Sequence, residues 1–191
     1  TLTNGVIKGE TPFKMEAGSK LSVSKTNITS TGGSAIAGTF TASHITYNKS
    51  GGGISISDPA AVVTISDSTL KGASNTDSDF VVSSGAKTIK IEYSEISQTH
   101  CALHFNAVDQ FTIDHVSLVA NTYGAMLYGS GAGPHSITAS NVQNNPTGLD
   151  MQGTNGPLTV TGSFTSNNKL ATNATETNKA TANIADAKPR P

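Results

Sequence analysis

Tryptophan is absent, cysteine occurs once, and the only arginine among the 191 residues is Arg190. A lone cysteine excludes an internal disulfide framework. Cys101 opens the apolar run Cys-Ala-Leu-His-Phe, so it is expected to be a small packed side chain and not a nucleophile. Charged residues make up only 13%, with Lys plus Arg 12 against Asp plus Glu 13 and a formal charge of −1. No basic stripe exists to follow a phosphate backbone, which argues against nucleic acid as a partner. No apolar run approaches the roughly 18 residues needed to cross a bilayer, so no transmembrane segment is expected. Without an initiating methionine or a leader, the chain is expected to be a mature or excised secreted segment.

What is present is Gly, Ser, Thr, Asn and Ala, arranged in a repeat. Residues 89–96 (Ile-Lys-Ile-Glu-Tyr-Ser-Glu-Ile) lie over residues 111–118 (Phe-Thr-Ile-Asp-His-Val-Ser-Leu) position for position. Positions 1, 3 and 8 are large and apolar, 2 and 4 polar, and 6 small. The same frame starts at 21, 38, 63, 89, 111, 135 and 158, in steps of 17, 25, 26, 22, 24 and 23 residues. Position 3 reads Val23, Phe40, Ile65, Ile91, Ile113, Ile137, Val160, and position 8 reads Ile28, Ile45, Leu70, Ile96, Leu118, Val142, Thr165. Both columns are expected to point inward. Position 6 (Thr26, Ser43, Ser68, Ser94, Val116, Ser140, Ser163) supplies small residues at a corner, and Asn48, Asn121, Asn145 and Asn168 recur three residues past position 8 as a potential amide ladder. A second apolar strand follows in each coil, as in Ile54 with Ile56 and Leu103 with Phe105.

Identical columns at a near-constant period mean that equivalent residues stack and each coil covers its neighbour. The expected fold is all-β, a parallel β-solenoid of about seven coils, with strands about 4.8 Å apart and a rod a little over 30 Å long. The repeat resembles the right-handed parallel β-helix of the pectate-lyase-like superfamily. The likeness is clearest over residues 101–168 and looser over 21–82. It implies fold, and it implies a bacterial secreted or cell-surface protein such as an autotransporter passenger. Because that superfamily includes lyases, hydrolases, esterases and adhesins, function has to come from a site. Residues 1–168 are assigned to the β-helix and 169–191 to a cap strand or linker tail, with Leu170 buried on the last coil and the chain mobile beyond Asp186. The end near residues 6–15 has an open strand edge, a candidate for end-to-end self-association.

Chemistry must sit on outward positions. On the first strand, only Lys90, Glu92 and Asp114 carry charge there. Stacking puts Glu92 beside Asp114, where the two carboxylates are candidate calcium ligands, the one cofactor considered. In β-helix polysaccharide lyases such an acidic cluster binds calcium and a nearby Lys or Arg takes the proton, a part that the resemblance would give to Lys90. On the second apolar strand, His104 and Asn106, Met126 and Tyr128, and Asp150 and Gln152 fall at matching offsets and suit a glycan-binding face. His100, His104 and His115 are expected at different corners of the coil, which disfavours a histidine metal site. The leading expectation is a non-catalytic module presenting a long face to a host protein, a polysaccharide or a neighbouring subunit. A calcium-dependent lyase or epimerase is the enzyme alternative. An ice-binding solenoid is a third, disfavoured because charge interrupts the Thr-rich face.

Overall fold

The computed structural model describes residues 1–152, 156–163, 169–172 and 182–186. They contain strands and no helix, and hence no helix long and apolar enough to cross a membrane. All pairings between named strands are parallel and link equivalent positions of successive coils, giving a β-solenoid of about seven coils. A complete coil contributes three strand segments, the first two merged in one coil into the single strand His135–Gln143. The first ladder includes Ser19–Ser24, Gly38–Ser43, Val62–Ser66, Thr88–Glu92 and Gln110–Asp114. The second includes Asn27–Ser30, Thr46–Lys49, Thr69–Lys71, Glu95–Ser97 and Ser117–Val119. The third includes Ser34–Ile36, Ile54–Ile56, Val81–Ser83, Cys101–Phe105, Tyr123–Leu127 and Thr147–Met151. Lys169–Thr172 and Ala182–Asp186 add further parallel strands to the third and first ladders. The expected burial of Leu170, the Asn168 rung, Phe164 and Thr165 of the last layer, and the chain beyond Asp186 fall outside the residues and side chains described.

The core is a set of columns. Ile91, Ile113 and Ile137 pair in register and are each 0% exposed. Ile89 and Phe111 fill a second inward column, and Ile54, Val81, Leu103, Ala125 and Leu149 a third. Two parts of the expected register are corrected: Ser163, expected over Ser140, pairs with Asn141 while Gly162 takes its place, and the coil framed from residue 38 is shifted. Leu21 pairs with Phe40, Val23 with Ala42, and Ile28 with Tyr47. The inward places assigned to Phe40 and Ile45 in those columns therefore belong to Ala42 and Tyr47, two residues later. Tyr47 is buried because its hydroxyl meets Ser34 Oγ at 2.9 Å, a partner that lets a phenol enter the core.

The corners are built from side-chain to backbone bonds. Ser68 Oγ donates to Ser66 O (2.6 Å) and accepts from Ile45 N–H (3.2 Å), and Ser140 Oγ donates to Thr138 O (2.8 Å) and accepts from Val116 N–H (3.2 Å). One hydroxyl thus closes its own turn and ties it to the coil before. The amide ladder exists at Asn121 and Asn145. Asn121 Oδ1 accepts from Thr99 N–H and Asn145 Oδ1 from Asn121 N–H, while their amide groups donate to Ile96 O and Leu118 O. Asn48 is exposed and is not a rung of it, a consequence of the two-residue shift. Buried groups satisfied this way contribute about 1 kcal/mol each.

Candidate functional site

The outer face of the third ladder carries a site that begins with a buried lysine. In the second-ladder strand Thr46–Lys49, Tyr47 and Lys49 alternate inward, and the Lys49 side chain is 0% exposed. Its ammonium donates to Gly51 O (3.0 Å), Asp77 Oδ2 (3.0 Å), Ser78 Oγ (3.1 Å) and Ser78 O, and lies 5.5 Å from the Phe80 ring centre. Burial lowers the Lys49 pKa, and Asp77 opposes the shift. For Asp77, burial acts upward but is outweighed by the Lys49 bond and the N–H groups of Ser78 and Ala73, so its carboxyl stays below its usual range. The same loop, residues 72–80, is pinned by His100 N–H to Asp77 O, Thr99 Oγ1 to Ser78 O, and Thr122 Oγ1 to Asn75 O. Lys49 therefore acts as the anchor of an otherwise polar, solvent-facing loop.

That anchorage delivers Asp79 onto the third ladder. Its two carboxylate oxygens meet His100 Nδ1 at 2.7 Å and His104 Nδ1 at 2.5 Å. The His100 ring contacts Tyr123 edge to face at 5.3 Å, and His104 contacts Tyr128 in the same way at 5.3 Å. Tyr128 donates its hydroxyl to Asp150 Oδ2 at 2.9 Å, and Gln152 Nε2 donates to the same oxygen at 3.3 Å. Burial first, and then Asp150, push the Tyr128 phenol well above its ordinary range, so it is not a base near neutral pH. His104 Nε2 is buried with no hydrogen-bond partner among the described residues. The nearby Cys101 is buried, donates to Leu103 O, and has its thiol pushed up by desolvation.

Register places the outward residues Ala35, Ser55, Val82, His104, Met126 and Asp150 in one row. Five inter-strand steps make that row about 24 Å long. Its first half is the floor of a hollow of about 460 Å³, walled by Ser78 and Asp79 and bordered by Gly32, Gly33, Gly52 and Gly53. The glycines are there because coils touch backbone to backbone. A Cβ on Gly52 would lie 2.0 Å from Gly32 O, and one on Gly53 2.0 Å from Phe80 O.

Of the six residues expected on this face, His104, Met126 and Asp150 form the row, and Tyr128 and Gln152 converge on Asp150. Asn106 borders a separate hollow with Pro59, Ser84 and Ser130. The expectation that His100 and His104 sit at different corners is corrected: the loop reaches across and its Asp79 binds both rings. His115 does lie elsewhere, bonded to Asp114 and stacked on Tyr93. Asp79 and Lys49 were missed by sequence reasoning.

On the first ladder, Glu92 and Asp114 pair in register as expected. Lys90 Nζ lies 2.8 Å from Glu92, and Asp114 accepts from His115 Nδ1 (2.8 Å) and Thr138 Oγ1 (2.8 Å). These partners compete with a cation for the two carboxylates. Among the described residues, no three His, Cys, Asp or Glu side chains converge as a metal-binding set. No family model, no curated protein and no solved structure matches this chain, which is shown by its own coordinates to be a parallel β-solenoid.

Proposed function

We propose that this is a non-catalytic, secreted or cell-surface β-helix module, akin to the binding members of the pectate-lyase-like superfamily, that holds a neutral glycan along the outer row of its third ladder. The observation that carries the reading is Asp79, brought by an anchored loop onto two imidazoles at the junction of the hollow and the aromatic row. The Asp79 carboxylate and the His100 ring edge accept from and donate to sugar hydroxyls, while Tyr123 and Tyr128 offer apolar surface to the C–H faces of a pyranose. The row favours a neutral ligand over an acidic one. At the centre of the row the charged groups among the described side chains are Asp79 and Asp150, Lys49 is buried and committed to the loop, and the exposed Lys14 lies at the far end beside Ala35.

A microarray of neutral and acidic glycans tests this. Retention of neutral oligosaccharides in preference to uronate polymers is expected, with no cleavage products on long incubation. Preference for acidic polymers, or ultraviolet-absorbing unsaturated products, would instead favour the lyase reading at Lys90, Glu92 and Asp114.

A further inference from the structure

A different surface, the corner between the first and second ladders, carries features that neither folding nor the third-ladder face uses. Asn4, Lys25, His44, Asp67, Tyr93, His115 and Ala139 occupy that corner in seven successive coils, all with φ between 47° and 54°. The turn is made by the backbone and by the hydroxyl one residue on, as Ser68 Oγ on Ser66 O, Ser94 Oγ on Glu92 O and Ser140 Oγ on Thr138 O. His44 N–H donates to Ser66 O, Asp67 N–H to Glu92 O, Tyr93 N–H to Asp114 O and His115 N–H to Thr138 O, each at 3.0–3.1 Å. The side chains of the corner residues make none of these turn-closing bonds, and a small or polar residue suits such a conformation best.

Tyr93 is the exception. It is bulky, sits at φ 47°, is 50% exposed, and stacks on His115 with ring centres 4.9 Å apart and planes 18° apart. On its other side the column carries the short Asp67 and then His44. Tyr93, His115, Asp67, His44 and Glu95 together line a hollow of about 590 Å³. Two coil steps separate His44 from Tyr93, about 9.6 Å, where a flat group in contact with both rings needs about 7–8 Å. Asp67 stands between them. Its carboxylate is exposed and has no hydrogen bond or ion pair among the described residues. The surrounding charges are Glu95, bonded by Ser97 Oγ, and Glu92 and Asp114, with Lys90 on Glu92 and Lys25 farther along the corner.

We propose that this corner is a binding slot for the guanidinium of an arginine side chain from a partner protein. A guanidinium is planar, stacks on aromatic faces and forks onto a carboxylate, which is the set of groups the slot offers. An ammonium has the charge without the plane. The slot is independent of the third-ladder site, so either can fail alone.

The test is a titration of the whole chain with N-acetylarginine amide and, in parallel, N-acetyllysine amide, followed by NMR at low and high salt. The arginine probe is expected to bind about tenfold tighter than the lysine probe, shifting Tyr93, His44 and Asp67 resonances and weakening as salt rises. D67N and Y93A should each reduce the affinity about tenfold at unchanged melting temperature. Y93G, which suits the backbone at that position, serves as the second variant if Y93A unfolds. Equal affinity for the two probes, no saturable shifts at the corner, or full binding by D67N would overturn the proposal.

Discussion

Replacing Lys49 with Met joins the fold to the site in one perturbation. The side chain is 0% exposed and its partner Asp77 13%, so the substitution leaves a largely buried carboxylate without its cation, while Gly51 O and Ser78 O each lose one donor and keep Ser78 Oγ and Thr99 Oγ1 respectively. Removing one partner of a buried ion pair costs about 3–5 kcal/mol, and the residual exposure of Asp77 places the expected loss near about 3 kcal/mol. For a chain of this length that is a fall in melting temperature of roughly 6–12 °C. Asp77→Asn keeps neutral acceptors for the ammonium and should lose less, about 1–3 kcal/mol. The Lys49→Met, Asp77→Leu pair should lose less than the sum of the singles, with a coupling of about 0.5–3 kcal/mol. Thermal melts give these values. NMR of the imidazoles gives the second readout, because an untethered loop no longer holds Asp79 on His100 and His104. A stability change under about 0.5 kcal/mol, typical of an ordinary surface site, together with unmoved His100 and His104 resonances, would refute the anchoring argument.

Three further outcomes are expected. Ile113→Ala, between Ile91 and Ile137, should cost about 2–5 kcal/mol in chemical denaturation through lost transfer energy and a cavity; a loss under about 0.5 kcal/mol would mean the stacking register is wrong. His135 is 1% exposed, stacked on Phe111 at 4.6 Å, and its pKa is lowered by burial, only partly opposed by the Gly131 carbonyl. A depressed histidine contributes stability that is full above its unfolded value of about 6.5 and lost as pH falls toward the folded value. Stability should therefore drop by up to about 1.4 kcal/mol per pH unit over that window, and His135→Leu should flatten the profile. Calcium is expected to leave the melting temperature unchanged, because Lys90, His115 and Thr138 already occupy Glu92 and Asp114; a calcium-dependent rise abolished by Asp114→Asn would restore the lyase reading.

The regular coils were legible because inward apolar columns at a period of 22 to 26 residues leave little freedom of register. The frame slipped at residues 38–45 and again after Val160, where Ser140 pairs with Gly162 and not with Ser163; the first slip has a plain cause. There Ile45 and Tyr47 are both apolar and both inward, so alternation alone does not say which one stacks on Ile28. The candidate face was half legible. Matching offsets located His104, Met126, Tyr128 and Asp150, since one strand and its neighbour determine a row. Lys49 and Asp79 were not found, because a lysine among Asn and Ser, and an aspartate in a polar loop, read as solvated groups. The available signal was the alternation of residues 45, 47 and 49, which places the lysine on the inward side of its strand. The reach of the loop over His100 and His104 is a tertiary contact with no local signature.

Whether the third-ladder row holds a glycan is decided by isothermal titration of the strongest neutral oligosaccharide from the array. Wild-type chain is compared with His104→Ala and with Ser55→Arg, the latter an exposed floor position where a long side chain fills the hollow without touching the core. The expected result is saturable binding that each variant weakens about tenfold, or about 1.4 kcal/mol, at unchanged melting temperature. Binding undiminished in both variants, or no neutral glycan bound by the wild type, would contradict glycan binding along the row.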